Sequence, residues 1–249
     1  MAIGGKFWGG LIGFFQGGPL GAIIGATLGH AFFDSGKSST IENGSGVQIA
    51  YITALFSMLA KLAKADGVID QREAALVSDM IRHSGFNDET KIFARKVFNE
   101  AKDQSFSFED YARDFYRLTS NKRTLHNSIL SMLCQVAAAD GVLHPKEEAC
   151  LKSASAIFRI SPLAYQAIMA QFFKGHGKTT SIESSYNMLN CTKDSSTAEI
   201  KKNYKRLVKE YHPDLLVSKG LPKGLMDQAT ERFRQVQEAY ETIAKARKF

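Results

Sequence analysis

The segment STAEIKKNYKRLVKEYHPD, residues 196–214, sorts its side chains into two sets. Ile200, Tyr204, Leu207, Val208 and Tyr211 recur at steps of three and four, so a helix gathers them on one apolar face. Lys201, Lys202, Lys205, Arg206 and Lys209 take the rest of the surface. Thr197 is the expected N-cap. Pro213 lacks a backbone N–H and disfavours helical geometry at His212, so the helix stops at a defined point with His212 and Asp214 beside its end. A second amphipathic run, ERFRQVQEAYETI (residues 231–243), places Phe233, Val236, Tyr240 and Ile243 at matching spacing. Two such helices packed antiparallel expose His-Pro-Asp at the tip of a hairpin.

Charge sharpens this reading. The chain has 249 residues and a formal net charge of +7, and residues 186–249 hold 13 Lys and Arg against 8 Asp and Glu, or +5 of that total. A basic module calls for an acidic partner. Nucleic acid is disfavoured, because no aromatic platforms interleave with the charges and no groove-reading motif is present. The three cysteines, Cys134, Cys150 and Cys191, have neither disulfide-framework nor metal-pair spacing, which fits a reducing compartment.

The stretch SYNMLNCTKDSSTAEIKKNYKRLVKEYHPD, followed by RFRQVQEAYETI, resembles the J domain of DnaJ-type co-chaperones. The match runs through a short first helix with Tyr186 and Leu189, the basic second helix, the His-Pro-Asp loop and an apolar third helix. This resemblance implies a DnaK-type chaperone as partner. His212, Pro213 and Asp214 would promote hydrolysis of the chaperone's ATP, and Lys201, Lys202, Lys205, Arg206 and Lys209 would dock on its acidic face. The chain itself would then be no enzyme and need no cofactor. Two departures stand out: Leu215, where the family often has lysine, and the long insert LLVSKGLPKG before the third helix.

Upstream lies an internal repeat. Residues 52–73, ITALFSMLAKLAKADGVIDQRE, align without gaps on residues 126–147, HNSILSMLCQVAAADGVLHPKE, which implies two copies of one helical hairpin. Ile52, Leu55, Phe56, Leu59 and Ala63 define an amphipathic first helix, and AALVSDMI, IFARKVF and ILSMLCQV repeat the pattern without any convincing strand. Asp66 and Glu73, with Asp140 and Glu147, set carboxylates at the two corners, where hard oxygen ligands for a divalent cation are one reading. Local capping is the other: Asp-Gly turns the chain, Asp70 and Glu73 sit in capping-box register, and Pro145 opens the equivalent helix. Capping gives every residue an ordinary role, so no metal site is assigned. The repeated corners resemble the TerB family, an all-helical domain named for tellurite resistance, which implies a membrane-associated sensing or scaffolding module. His144, where the first copy has Asp70, departs from a symmetric metal site.

The N-terminal run FWGGLIGFFQGGPLGAIIGATLGHAFF, residues 7–33, contains no Asp, Glu, Lys or Arg. As a helix it is long enough to cross a hydrocarbon core of roughly 30 Å. It exceeds the apolar core of a signal peptide and has no clear cleavage site. Gly9, Gly13, Gly17, Gly21, Gly25 and Gly29 recur every fourth residue, a stripe on which a second backbone can approach closely. The sequence therefore predicts a homodimer through a transmembrane helix, with a partnerless anchor as the plainer alternative.

The expected organisation is all-α: an anchor at 1–33, a linker at 34–46, a TerB-like bundle at 47–173, a second linker at 174–185 and a J domain at 186–249. That order resembles the membrane-anchored J-domain co-chaperones of bacteria, implying an inner-membrane, single-pass protein in envelope stress regulation. A membrane-bound metal or stress sensor working through the bundle is the alternative. Lys6 and the terminal amine against Lys37 mildly favour an internal N-terminus. The cytosolic location of ATP and the DnaK-type partner places the C-terminal domains in the cytoplasm in any case.

Overall fold

The computed structural model describes residues 18–34, 46–64, 71–139, 141–173, 181–218, 221–222 and 226–249. Among them every regular element is a helix: α1 (Pro19–Asp34), α2 (Gly46–Leu62), α3 (Gln71–His83), α4 (Asp88–Asp103), α5 (Phe108–Thr119), α6 (Arg123–Ala137), α7 (Pro145–Ile157), α8 (Pro162–Phe172), α9 (Ser181–Met188), α10 (Thr197–Glu210), α11 (Pro213–Ser218) and α12 (Met226–Arg247). Helices α1 to α8 build one core, which Leu216 of α11 joins, and α9, α10 and α12 build a second, smaller one.

The internal repeat is present as two helical hairpins, α2–α3 and α6–α7, whose first helices pack together. Leu55 and Ile129, and likewise Met58 and Met132, and Leu59 and Leu133, occupy related positions and are fully buried. Each such side chain contributes roughly 1.5–3 kcal/mol on burial. The tyrosine hydroxyl of Tyr51 and that of Ser128 lie 2.7 Å apart and tie α2 to α6. The expectation of an amphipathic α2 is corrected: residues 49 to 60 are buried all round, Thr53 and Ser57 included, because α1, α4, α5 and α6 surround the helix. A helix enclosed on every side has no polar face to keep.

Helix starts follow local chemistry. The side chain of Asn87 accepts the Thr90 N–H at 2.9 Å, and Ser107 and Asp110 form a reciprocal capping box. At the second repeat corner the Glu147 carboxylate accepts the His144 N–H at 3.0 Å, which is a capping role. Asp66, Asp70 and Asp140 lie outside the described residues, as does the side chain of Glu73. Among the described residues no three His, Cys, Asp or Glu gather as metal ligands.

Of the N-terminal run expected as one helix over 7–33, residues 18–33 are described. Helix α1 begins at Pro19, a residue suited to a first turn and unsuited to an interior one. Residues 1–17, with Gly9, Gly13 and Gly17, are outside the described part, and no described helix is long and apolar enough to cross a membrane. Leu20, Ile23, Ile24 and Thr27 of α1 are buried against α2, α4 and α5. The Leu20 N–H donates to the buried Asp114 carboxylate of α5 at 3.0 Å, and Arg117 pairs with the same group at 2.6 Å. A Cβ on Gly18 would overlap that carboxylate, so any larger residue requires Asp114 to shift from the Leu20 N–H and Arg117 that hold it. Gly25 faces away, and a Cβ built on it meets nothing within 4 Å. The linker expectations are also adjusted: α1 runs to Asp34, α2 starts at Gly46, and α9 begins at Ser181, inside the expected second linker.

Candidate functional site: the exposed tip of the C-terminal hairpin

Helix α10 starts at Ser196, whose hydroxyl accepts the Glu199 N–H at 3.2 Å; the cap is thus one residue earlier than the expected Thr197. Its apolar face is the predicted one. Ile200, Leu207 and Tyr211 are buried, while Tyr204 and Val208 pack at the edge of the same core. Val236 and Ile243 of α12 face them fully buried, and the rings of Tyr204 and Tyr240 stack at 4.0 Å. The short α9 closes the core with Tyr186, next to Leu189. Arg247, near the end of α12, donates to the Tyr186 hydroxyl at 2.5 Å and to the Ser195 carbonyl at 2.6 Å, and also to the carbonyl of Lys193. The three helices are thereby clamped at the end opposite the tip.

The tip follows directly. Helix α10 ends at Glu210, His212 is non-helical, and Pro213 opens α11, whose Leu216 N–H bonds to the His212 carbonyl at 3.0 Å. The Asp214 side chain is 93% exposed and that of His212 48% exposed. His212 Nδ1 and the Asp214 carboxylate stand 4.0 Å apart, beyond hydrogen-bond range, and the His212 ring sets its edge on Phe233 at 6.1 Å. Both side chains are presented to solvent from a fixed base.

Lys201, Lys202, Lys205, Arg206 and Lys209 are all exposed, and Lys201 reaches over the Phe249 ring at 5.2 Å. Arg206 also pairs with Glu210 at 3.2 Å and lines a cleft with Arg123, Asn127 and Arg232 of the adjoining elements. The insert also has a place the sequence did not reveal. Leu216 and Leu221 are 1% exposed and belong to the bundle's core, not to that of the hairpin. The Asn127 amide of α6 donates to the Tyr211 hydroxyl at 2.9 Å. The signal available was two leucines in an inter-helix insert with no hairpin face to serve.

A site of this form has recognition surface and exposed charge, suited to engaging an acidic protein face. Comparison with known proteins agrees along the chain. The family profile of the DnaJ domain matches residues 184–248, that of Tellurite resistance protein TerB residues 52–170, and that of the Co-chaperone DjlA transmembrane domain residues 1–40. Among curated proteins the chain is similar to the Co-chaperone protein DjlA of Coxiella burnetii, 27% identical over 98% of this chain and 97% of that one. It is 26% identical to the protein of the same name from Escherichia coli K12, over 98% and 99% of the two chains. The Aliivibrio fischeri protein is 29% identical over 88% and 85%. No solved structure matches. With its transmembrane, TerB and J domains in this order, the chain is DjlA-like, a membrane-anchored J-domain co-chaperone.

Proposed function

We propose that the chain binds a DnaK-type chaperone through its J domain and stimulates that partner's ATP hydrolysis, without being an enzyme itself. The carrying observation is the tip: His212 and Asp214 project into solvent at the end of a helix that bears Lys201, Lys202, Lys205 and Lys209 on its open side. Exposed lysines steer an acidic partner and add little affinity each, whereas the loop makes the few contacts whose loss is large. Because ATP and such a partner are cytosolic, the C-terminal domains lie in the cytoplasm and the anchor crosses the inner membrane once. Envelope stress regulation is the setting this placement supports.

Homodimerisation through the glycine stripe is part of the proposal. The open face at Gly25 supports it, since α1 turns Leu20, Ile23 and Ile24 to the bundle and leaves this glycine accessible.

The deciding experiment measures ATP hydrolysis by a purified DnaK-type chaperone with the intact protein in lipid nanodiscs. His212→Gln and Asp214→Asn are expected to abolish stimulation with unchanged circular dichroism. Stimulation at the wild-type level by either folded variant would remove the assignment.

A further inference from the structure

The His-Pro-Asp segment is bracketed by two attachments to the bundle. On its N-terminal side Tyr211, immediately before His212, receives the hydrogen bond from Asn127. On its C-terminal side Leu216 and Leu221 are buried in the bundle's core, with the half-buried Met226 packed against the same cluster. The receiving surface is one stripe of α6: Thr124, Asn127, Ser128 and Ser131 line the seam opposite Tyr211, Leu216 and Leu221. Spacings of three and four residues place these side chains on a single helical face. Helix α9 also rests on α8, so the hairpin meets the bundle at both its first helix and its tip.

Glu210 Oε1, Arg232 Nη1 and Asn127 Oδ1 are buried without a hydrogen-bond partner in the protein, and each such group offsets part of the apolar gain from Leu216 and Leu221.

We propose that the bundle braces the J-domain tip: Asn127, Leu216 and Leu221 are positioning residues that hold His212 and Asp214 in the geometry a chaperone partner engages. Holding the loop before contact removes an ordering cost from binding, so the brace acts on the concentration of co-chaperone needed and not on the rate at saturation. The inference rests on the J-domain reading of the previous section.

The test uses the intact protein in lipid nanodiscs, with two readouts. One is the half-maximal concentration and the saturating rate for stimulation of a DnaK-type chaperone's ATP hydrolysis. The other is deuterium uptake by the backbone amides of residues 211–218. Tyr211→Phe and Asn127→Leu each delete the same hydrogen bond and are expected to raise the half-maximal concentration about fivefold. The double variant should do no more than either single one, since both act on one bond. Asn127→Asp, whose carboxylate accepts from the Tyr211 hydroxyl, should restore the wild-type value. Leu216→Ser with Leu221→Ser should raise the concentration further, and uptake should rise in every variant except Asn127→Asp. Unchanged uptake would show that the bundle does not hold the tip. Raised uptake with an unchanged half-maximal concentration would show that the hold does not serve the partner, and a lowered concentration would make the bundle a cover. Absence of stimulation by the wild type would instead remove the J-domain reading, leaving uptake to decide whether the tip is held.

Discussion

Replacing His126 with phenylalanine should make the bundle markedly less sensitive to acid. His126 is 1% exposed, stacks on Phe158 at 5.0 Å, and meets the rings of Phe115 and Tyr116. Its Nε2 lies 2.9 Å from the Thr119 hydroxyl, which already donates to the Phe115 carbonyl, so Nε2 is the nitrogen that carries the proton. Burial, reinforced by the charge of Arg123, pushes its pKa down from 6.5 to about 4. Above pH 6.5 the ring is neutral in both states and has no pH-dependent effect. Below it the unfolded chain takes up a proton that the folded one refuses until about pH 4, so stability falls across that window and levels off beneath it. At about 1.4 kcal/mol per pH unit, the loss reaches roughly 3 kcal/mol. Phenylalanine keeps the stack and leaves Thr119 short of one partner, which costs about 1 kcal/mol at pH 8. Urea unfolding of the two proteins from pH 8 to pH 4 measures the difference: the curves should converge and then cross as acid is added. Parallel curves would refute the claim that a neutral buried imidazole controls the slope.

Two further outcomes concern α1. Gly18→Val should detach it from the bundle, because the added side chain overlaps the Asp114 carboxylate; faster deuterium uptake over residues 20–27 is the check, and unchanged uptake would contradict the docked geometry. Gly21→Leu with Gly25→Leu should weaken self-association, measured by energy transfer between labelled copies in bilayers, and persistence of the full signal would return the stripe to a partnerless anchor.

How much the sequence disclosed depends on whether a residue's partner is near in sequence. The apolar face of α10, its stop at Pro213 and the gap-free repeat were legible because periodicity and backbone chemistry act within a few residues. Thr53 and Ser57 were not legible as buried, since enclosure of α2 comes from helices far along the chain. Arg206 looks like one more basic residue on an exposed face. It is exposed as expected, and the structure adds its pair with Glu210 and its place at the edge of a cleft shared with Arg123 and Asn127. The cap differed by one residue because Ser196 and Thr197 offer the same hydroxyl, and backbone geometry alone chooses between them. Asp114 has no local signature for its role. It is one acidic residue of a capped helix until the Leu20 N–H, from 94 residues upstream, appears beside it.

The seating of α1 on Asp114 changes what residues 34–46 do. Read as a tether, these 13 residues would let the bundle wander roughly 20 Å from its anchor. With α1 belonging to the same core as α2, the segment instead starts and ends on one body, and closing it costs entropy once, at folding. From Leu20 a continuous path of packed helices leads through α5 and α6 to Tyr211, so the placement of His212 is tied to the first turn of α1.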